Sequence, residues 1–277
     1  MSDSQKPAAI EMLGVSVAAL RDPTLTLLHD VNWTVQPGEF WVVAGPPRSG
    51  KSDLLLHAAG LLAPAAGVCR LFGRDTAELD ESQLAVRLRV GLTFADGKLF
   101  NQLSLAENVA LPLRYHRNPS ESETARTVET LLDLLELTPY ASLLPGSVAT
   151  VWRQRAALAR ALVLQPELLL LDNPGGSLMT RHRGWLMHLL DQLWHGHAFY
   201  GGRPLTLVVT TDDLPVWQHP GRKFAAAHEG NFTVLGAWGG EPFRQHEAVK
   251  ELLAGATEQE VPRDPAPPPT PAGREEN

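Results

Sequence analysis

The chain has 277 residues, 44% of them hydrophobic and 20% charged, with a formal net charge of −7. That is an ordinary globular composition, long enough for one large domain or two lobes, and it excludes an overall basic footprint for nucleic acid. No run approaches the roughly 20 apolar residues of a membrane span, Met1 to Pro7 holds no signal core, and the lone Cys69 excludes an intrachain disulfide and suits a reducing cytosol.

Ile10 to Val17 and Val31 to Val35 read as short strands, split by the turn-like Arg21-Asp22-Pro23. Pro37-Gly38 turns the chain into Phe40-Trp41-Val42-Val43-Ala44, an apolar run expected as a buried strand. Then comes Gly45-Pro46-Pro47-Arg48-Ser49-Gly50-Lys51-Ser52, which fits G-x-x-x-x-G-K-[ST], and Asp53 to Ala59 follows as a helix. Strand, glycine-bounded turn and helix form a phosphate-binding loop. Its backbone amides face inward at a helix N-terminus, where they can hold anionic oxygens. Lys51 would reach the outer phosphates of ATP, and Ser52 would hold Mg²⁺. Arg48 sits where a small residue is usual. Asp53 sits where a hydroxyl usually meets phosphate. Its carboxylate either repels phosphate at short range, or turns to solvent, or pairs with Arg48.

Further along, Gly67 to Phe72 reads as a strand, Glu81 to Leu88 as a short helix and Val90 to Phe94 as a strand. Ser104 with Glu107 gives a capping box for a helix. Residues 122–137 and Arg153 to Leu164 read as strong helices, the first with Ala125, Val128, Leu132 and Leu135 on one face. Leu168-Leu169-Leu170-Leu171-Asp172 is a buried parallel strand ended by a carboxylate, Gly184 to Trp194 a helix, and Leu205 to Thr210 another buried strand. Lys223 to His228 and Asn231 to Gly236 form a hairpin through Glu229-Gly230, and Glu247 to Ala254 is a last helix. Alternating strands and helices predict an α/β fold with a largely parallel sheet. One domain is expected over 1–256, with a helical part at about 96–163. From Thr257 to Asn277 the Pro- and charge-rich composition predicts a disordered tail.

This order of features resembles the ATPase subunit of ABC transporters over Ile10 to about Gly240. The resemblance implies a P-loop NTPase fold of the ABC ATPase type: a mixed sheet, an N-terminal antiparallel part and a helical subdomain. It aligns Gly45, Gly50, Lys51 and Ser52 with the phosphate loop, and Asp172 with the Mg²⁺-side carboxylate of the Walker B strand. Arg153 to Leu162 align with the helix after the signature motif. The stretch from Leu99-Phe100 to Asn108-Val109-Ala110-Leu111-Pro112-Leu113 is most similar to ATPases of Mla-type lipid transporters, which work with MCE proteins. Implied partners are a permease subunit, a second ATPase subunit and an MCE complex, with no nucleic acid. The implied place is the cytoplasmic face of the membrane, held there by the permease through a wall at about Asp96 to Leu113.

The departures from the family are concentrated at its catalytic positions. The Q-loop glutamine falls on Ala95, the Walker B glutamate on Asn173, the D-loop aspartate on Met179 and the switch histidine on Thr211. The signature LSGGQ falls on Val148-Ala149-Thr150-Val151-Trp152, and no aromatic ring lies near Ala19 to Arg21 to stack an adenine, where Arg21 could stack in its place. An amide is no general base, and threonine is shorter than histidine and uncharged. These losses predict a degenerate subunit with weak or absent nucleotide binding and little or no hydrolysis. Two alternatives stand beside it. One is an active ATPase whose base is displaced to Asp96, Asp212 or Asp213; the other is a non-transport ABC protein. His182, His188, His195 and His197 suggest either a metal site or surface histidines. Trp185 and Trp194 are expected in packing, and the long loop from Gly196 to Pro204 has no assigned purpose.

Overall fold

The computed structural model describes residues 6–79, 84–176 and 180–259. At its centre lies β3 (Phe40–Ala44), buried along its whole length. Its side chains alternate: Phe40, Val42 and Ala44 enter one core, Trp41 and Val43 the other. β7 (Leu168–Leu171) and β8 (Thr206–Thr211) behave alike, with Leu169 and Val209 on the first face and Leu170 and Val208 on the second. Strands apolar on both faces require a covering layer on each, which explains runs too apolar to alternate. β3 pairs in parallel with β8 and with β9 (Lys223–His228), and the parallel ladder continues through β7 to β6 (Val90–Thr93).

The rest of the sheet is mostly antiparallel. β1 (Ile10–Ala19) lies between β2 (Asp22–Val35) and β4 (Ala66–Leu71), and β4 carries the short β5 (Arg74–Asp75). β10 (Asn231–Ala237) folds back on β9 and meets β2 at Asn231 and His29. The full order is β5-β4-β1-β2-β10-β9-β3-β8-β7-β6, the mixed sheet that the resemblance implies rather than the largely parallel one that the alternation of elements predicts, because β1, β4 and β10 fold back on their neighbours.

Helix α1 (Lys51–Ala58) places Leu54, Leu55 and Ala58 in the second core. After the short α2 (Leu84–Arg87), α3 (Leu105–His116), α4 (Glu121–Leu134) and α5 (Thr150–Leu162) form the helical part between β6 and β7. α6 (Thr180–His195) precedes β8, and α7 (Glu241–Gln245) and α8 (Glu247–Gln259) close the described chain. The Ser104–Glu107 box is present, and Ser120 with Glu123 makes a second one that starts α4 at Glu121. α5 begins at Thr150, ahead of Arg153, so it takes in most of the segment aligned with the signature motif. α8 runs to Gln259, so the tail expected from Thr257 would begin inside a helix; residues 260–277 and Met179 lie outside the described residues.

One buried side chain shapes the loop before α3. Asn108 is fully buried; its Oδ1 accepts from Phe100 N–H (2.8 Å) and its Nδ2 donates to the carbonyls of Phe100, Leu103 and Ser104, each at 3.0 Å. Such a side chain satisfies backbone groups that have no ladder partner. The fixed loop presents Phe100 at 53% exposure.

Candidate phosphate-loop site

The loop leaves the C-terminal end of β3. Gly50 has φ 87°, a conformation that glycine adopts at little cost, and Arg48 reaches φ 65°, where a Cβ is strained. The first helical hydrogen bond of α1 is Leu54 N–H to Gly50 carbonyl at 2.9 Å. The amides of Lys51, Ser52 and Asp53 therefore precede the ladder and face a cavity of about 250 Å³ lined by Leu27 and residues 48–53. Pro46 and Pro47 bring no N–H to it. Lys51 turns back on its own loop, with Nζ donating to Gly45 carbonyl (2.8 Å), Pro46 carbonyl (2.7 Å) and Ser49 Oγ (3.3 Å). At 8% exposure its ammonium is pushed down to about 8, because burial outweighs the pull of Asp212 and Asp172.

Asp53 neither pairs with Arg48 nor faces outward alone. Its Oδ1 accepts from the Leu20 amide at 2.8 Å, at the tip of the β1–β2 hairpin. Leu27 and Leu28 of β2 press on the loop beside Gly50. Arg48 and Arg21 are exposed.

The strand ends on the other side of the loop bring up the remaining candidates. Asp172 Oδ1 accepts from Thr210 Oγ1 (2.8 Å), and Thr210 Oγ1 in turn accepts from Asn173 N–H (3.0 Å). Asn173 has φ 43°, its Oδ1 is buried without a hydrogen-bond partner among the described residues, and its side chain lies against Gly176. Thr211 is buried and its hydroxyl is used up locally, donating to Asp213 carbonyl (3.2 Å) and accepting from Asp213 N–H (3.0 Å). Asp213 pairs with Arg183 at 2.8 Å and Asp96 with Lys98 at 2.7 Å. That leaves Asp212, half-buried and close enough to Lys51 to favour its charge.

Ala95 is exposed after β6, and its carbonyl accepts from Gln154 Nε2 of α5 at 2.7 Å. At the start of α5, Trp152 stacks on Tyr140 with ring centroids 4.4 Å apart. Arg155, one turn on, lies 3.5 Å over the Trp185 ring and 4.9 Å over Trp152, and its Nη1 pairs with Glu136 at 2.6 Å. Aromatic bulk fills the region aligned with the signature glycines.

Residues 28–176 match the family model described as ABC transporter. The chain belongs to the ABC transporter family. It is 33% identical over 244 residues to the sulfate/thiosulfate import ATP-binding protein CysA of Gloeobacter violaceus, covering 81% of this chain and 69% of that protein. It is 38% identical over 163 residues to the probable ribonucleotide transport ATP-binding protein mkl of Mycobacterium tuberculosis, covering 58% of this chain and only 45% of that protein. Against the dimeric, ADP- and phosphate-bound ATP-binding cassette MJ0796 the fold aligns with a TM-score of 0.71 at 28% identity, covering 80% of this chain and 95% of the other. CbiO1 of Clostridium perfringens, part of the cbiONQ transporter complex, shares the fold at a TM-score of 0.68.

ABC cassettes bind ATP with Mg²⁺, and this chain's residues suit both. Three unladdered amides, Lys51 and the exposed Ser52 hydroxyl suit phosphate, while Ser52 and Asp172 offer oxygens for a hard cation. The sequence singles out Gly45 to Asp53, Asp172, Asn173 and Thr211, and these lie together at one end of the sheet. It did not foresee Gln154 reaching Ala95, nor Leu20 as the partner of Asp53, because both contacts join distant elements. The histidines do not converge: among the described residues no three His, Cys, Asp or Glu side chains form a metal-binding group. Trp194 packs, its Nε1 donating to Gly38 carbonyl at 2.7 Å, and Trp185 carries Arg155. No helix among the described residues is long and apolar enough to cross a membrane.

Proposed function

We propose that the chain is an ATPase-fold subunit of an ABC transporter that binds a permease and a second, competent ATPase subunit while hydrolysing little or no ATP itself. The observation that carries this is Asn173. An amide occupies the end of β7 where a water-activating carboxylate would be needed, and its side chain is turned onto Gly176. Thr211, spent on the Asp213 backbone, offers no compensating charge. Lys51, Ser52, the loop amides and Asp172 support weak Mg²⁺-nucleotide binding. The lipid, Mla-type role rests on the segment from Leu99 to Leu113, with Phe100 exposed on an Asn108-fixed loop as the contact for a permease helix at the cytoplasmic face.

Phosphate release from the purified chain is the test. Wild type should stay at background, and Asn173→Glu should not restore turnover, because Thr211 and Ala95 remain. A robust wild-type rate that vanishes in Lys51→Ala would overturn the proposal. A second reading, an active ATPase with a displaced base, is favoured by one observation: Asp212 lies near Lys51 and, unlike Asp96 and Asp213, forms no ion pair among the described residues. Turnover that Asp212→Asn abolishes would establish it.

A further inference from the structure

The long loop from Gly196 to Pro204 closes the end of the sheet opposite the phosphate loop. Ala198–Tyr200 form one 3-10 turn, capped by His197 Nδ1, which accepts from Phe199 N–H at 3.1 Å. Gln165 Nε2 donates to Phe199 carbonyl at 2.8 Å and fastens the turn to the segment before β7. The turn drives Tyr200 inward to 4% exposure, and its hydroxyl finds no hydrogen-bond partner among the described residues. A buried donor left unpaired costs stability and calls for an explanation.

Tyr200 lines a cavity of about 500 Å³ at the N-terminal ends of β3, β6, β7 and β8. Lys6, Arg89 and Arg203 bring three cations to it, and Glu167 is the one carboxylate in the lining. Both Glu167 oxygens are taken by Arg89, at 2.7 and 2.9 Å. Arg203 spends its Nε on Tyr200 carbonyl at 3.2 Å; its terminal nitrogens and Lys6 Nζ have no hydrogen-bond partner among the described residues, though both cations lie near enough to Glu167 to favour its charged form. A net surplus of positive charge therefore gathers here, on a chain whose formal charge is −7. The guanidinium fork suits two oxygens on one phosphorus or carbon, and the ammonium adds a further donor. Prolines and Phe72 make the remaining wall, and the volume is that of a small-molecule site.

We propose that this cavity binds a small phosphorylated molecule, with its phosphoryl group on Arg203 and Lys6 and its body against the proline wall. A dianion matches the two cations that Glu167 leaves uncompensated, which a monocarboxylate does not. The site is separate from the phosphate loop and does not depend on the proposed transport role.

Titration calorimetry of the full-length chain with phenyl phosphate tests it, in wild type and in Lys51→Ala, which removes the phosphate-loop lysine. Saturable binding should persist in Lys51→Ala. It should weaken about tenfold or more in Arg203→Gln, as expected for losing a charge-assisted contact. Benzoate should bind at least about tenfold more weakly than phenyl phosphate. No saturable binding to wild type, its loss in Lys51→Ala, or unchanged affinity in Arg203→Gln would overturn the proposal. Equal affinity for benzoate would overturn the phosphoryl assignment.

Discussion

The Asp53 carboxylate accepts a hydrogen bond from the Leu20 amide at 2.8 Å, joining residues 33 apart in the chain. The first turn of α1 is thereby fixed to the tip of the β1–β2 hairpin, beside the place where the family stacks its adenine. Asp53→Thr shortens the side chain and frees the tip. The contact is exposed, so its loss should cost about 1 kcal/mol and lower the melting temperature by about 2–4 °C. The same substitution should tighten binding of an ATP analogue several-fold, because a carboxylate leaves the phosphate region. Paired melts and fluorescence titrations check both effects, and unchanged affinity would show that Asp53 does not restrain the site.

Lys51 gives a pH signature. Its ammonium is held at about 8 in the fold against 10.5 when unfolded. Below 8 both states carry the proton and the fold bears the cost of a buried charge. Between 8 and 10.5 the unfolded chain holds more protons, so this group makes stability rise with pH. Cys69 acts oppositely: burial pushes its thiol up to about 11, so the unfolded chain ionises first above 9. Subtracting Lys51→Met from wild type cancels Cys69. The difference in unfolding free energy should move in favour of wild type by about 2–3 kcal/mol between pH 7 and 10.5. A flat difference would show that Lys51 is not buried in solution.

Asn108→Ala removes four hydrogen bonds from a fully buried site. Some of the freed backbone groups lie near the surface and can reach water, so the expected loss is about 2–3 kcal/mol. Hydrogen exchange should speed up at residues 99–104 and stay slow in β3. Uniform acceleration would mean that the loop and the core unfold together.

The Arg155 pair should be lopsided. Arg155 is 4% exposed and Glu136 59%. Arg155→Ala strips the stacking from Trp185 and leaves a void, at a cost of about 3 kcal/mol. Glu136→Gln should cost less than about 1 kcal/mol, because that end of the bridge is in water. Denaturant midpoints of the two variants settle the comparison; equal losses would place the Glu136 carboxylate inside.

Local chemistry made much of this legible in advance. The doubly apolar runs at Phe40, Leu168 and Leu205 announced buried parallel strands, and Ser104 with Glu107 announced α3. Gly50, Lys51 and Ser52 fixed the loop because few other jobs require that spacing. What stayed hidden depended on pairs remote in sequence: Asp53 with Leu20, Gln154 with Ala95, and Arg155 between two indoles. Asp53 and Ala95 stand out in the sequence, but nothing there names Leu20 or Gln154 as their partners. The loop from Gly196 to Pro204 was visible as an oddity, but its burial of Tyr200 needed three dimensions.

Several loop residues lean on their own backbone. A Cβ at Gly45 would collide with the Ala227 carbonyl of β9, and Lys51 Nζ bridges the carbonyls of Gly45 and Pro46. These two signature-like residues therefore hold the chain's shape whether or not a phosphate ever arrives. Ala95 and Asn173, by contrast, meet the rest of the chain through little: Ala95 gives its carbonyl to Gln154, and the Asn173 side chain lies against Gly176. Under the proposed role, erosion spared whichever residues had a second employment in the scaffold. A phosphate-loop motif that outlives its chemistry is then a fossil kept by architecture, and its survival measures mechanical need.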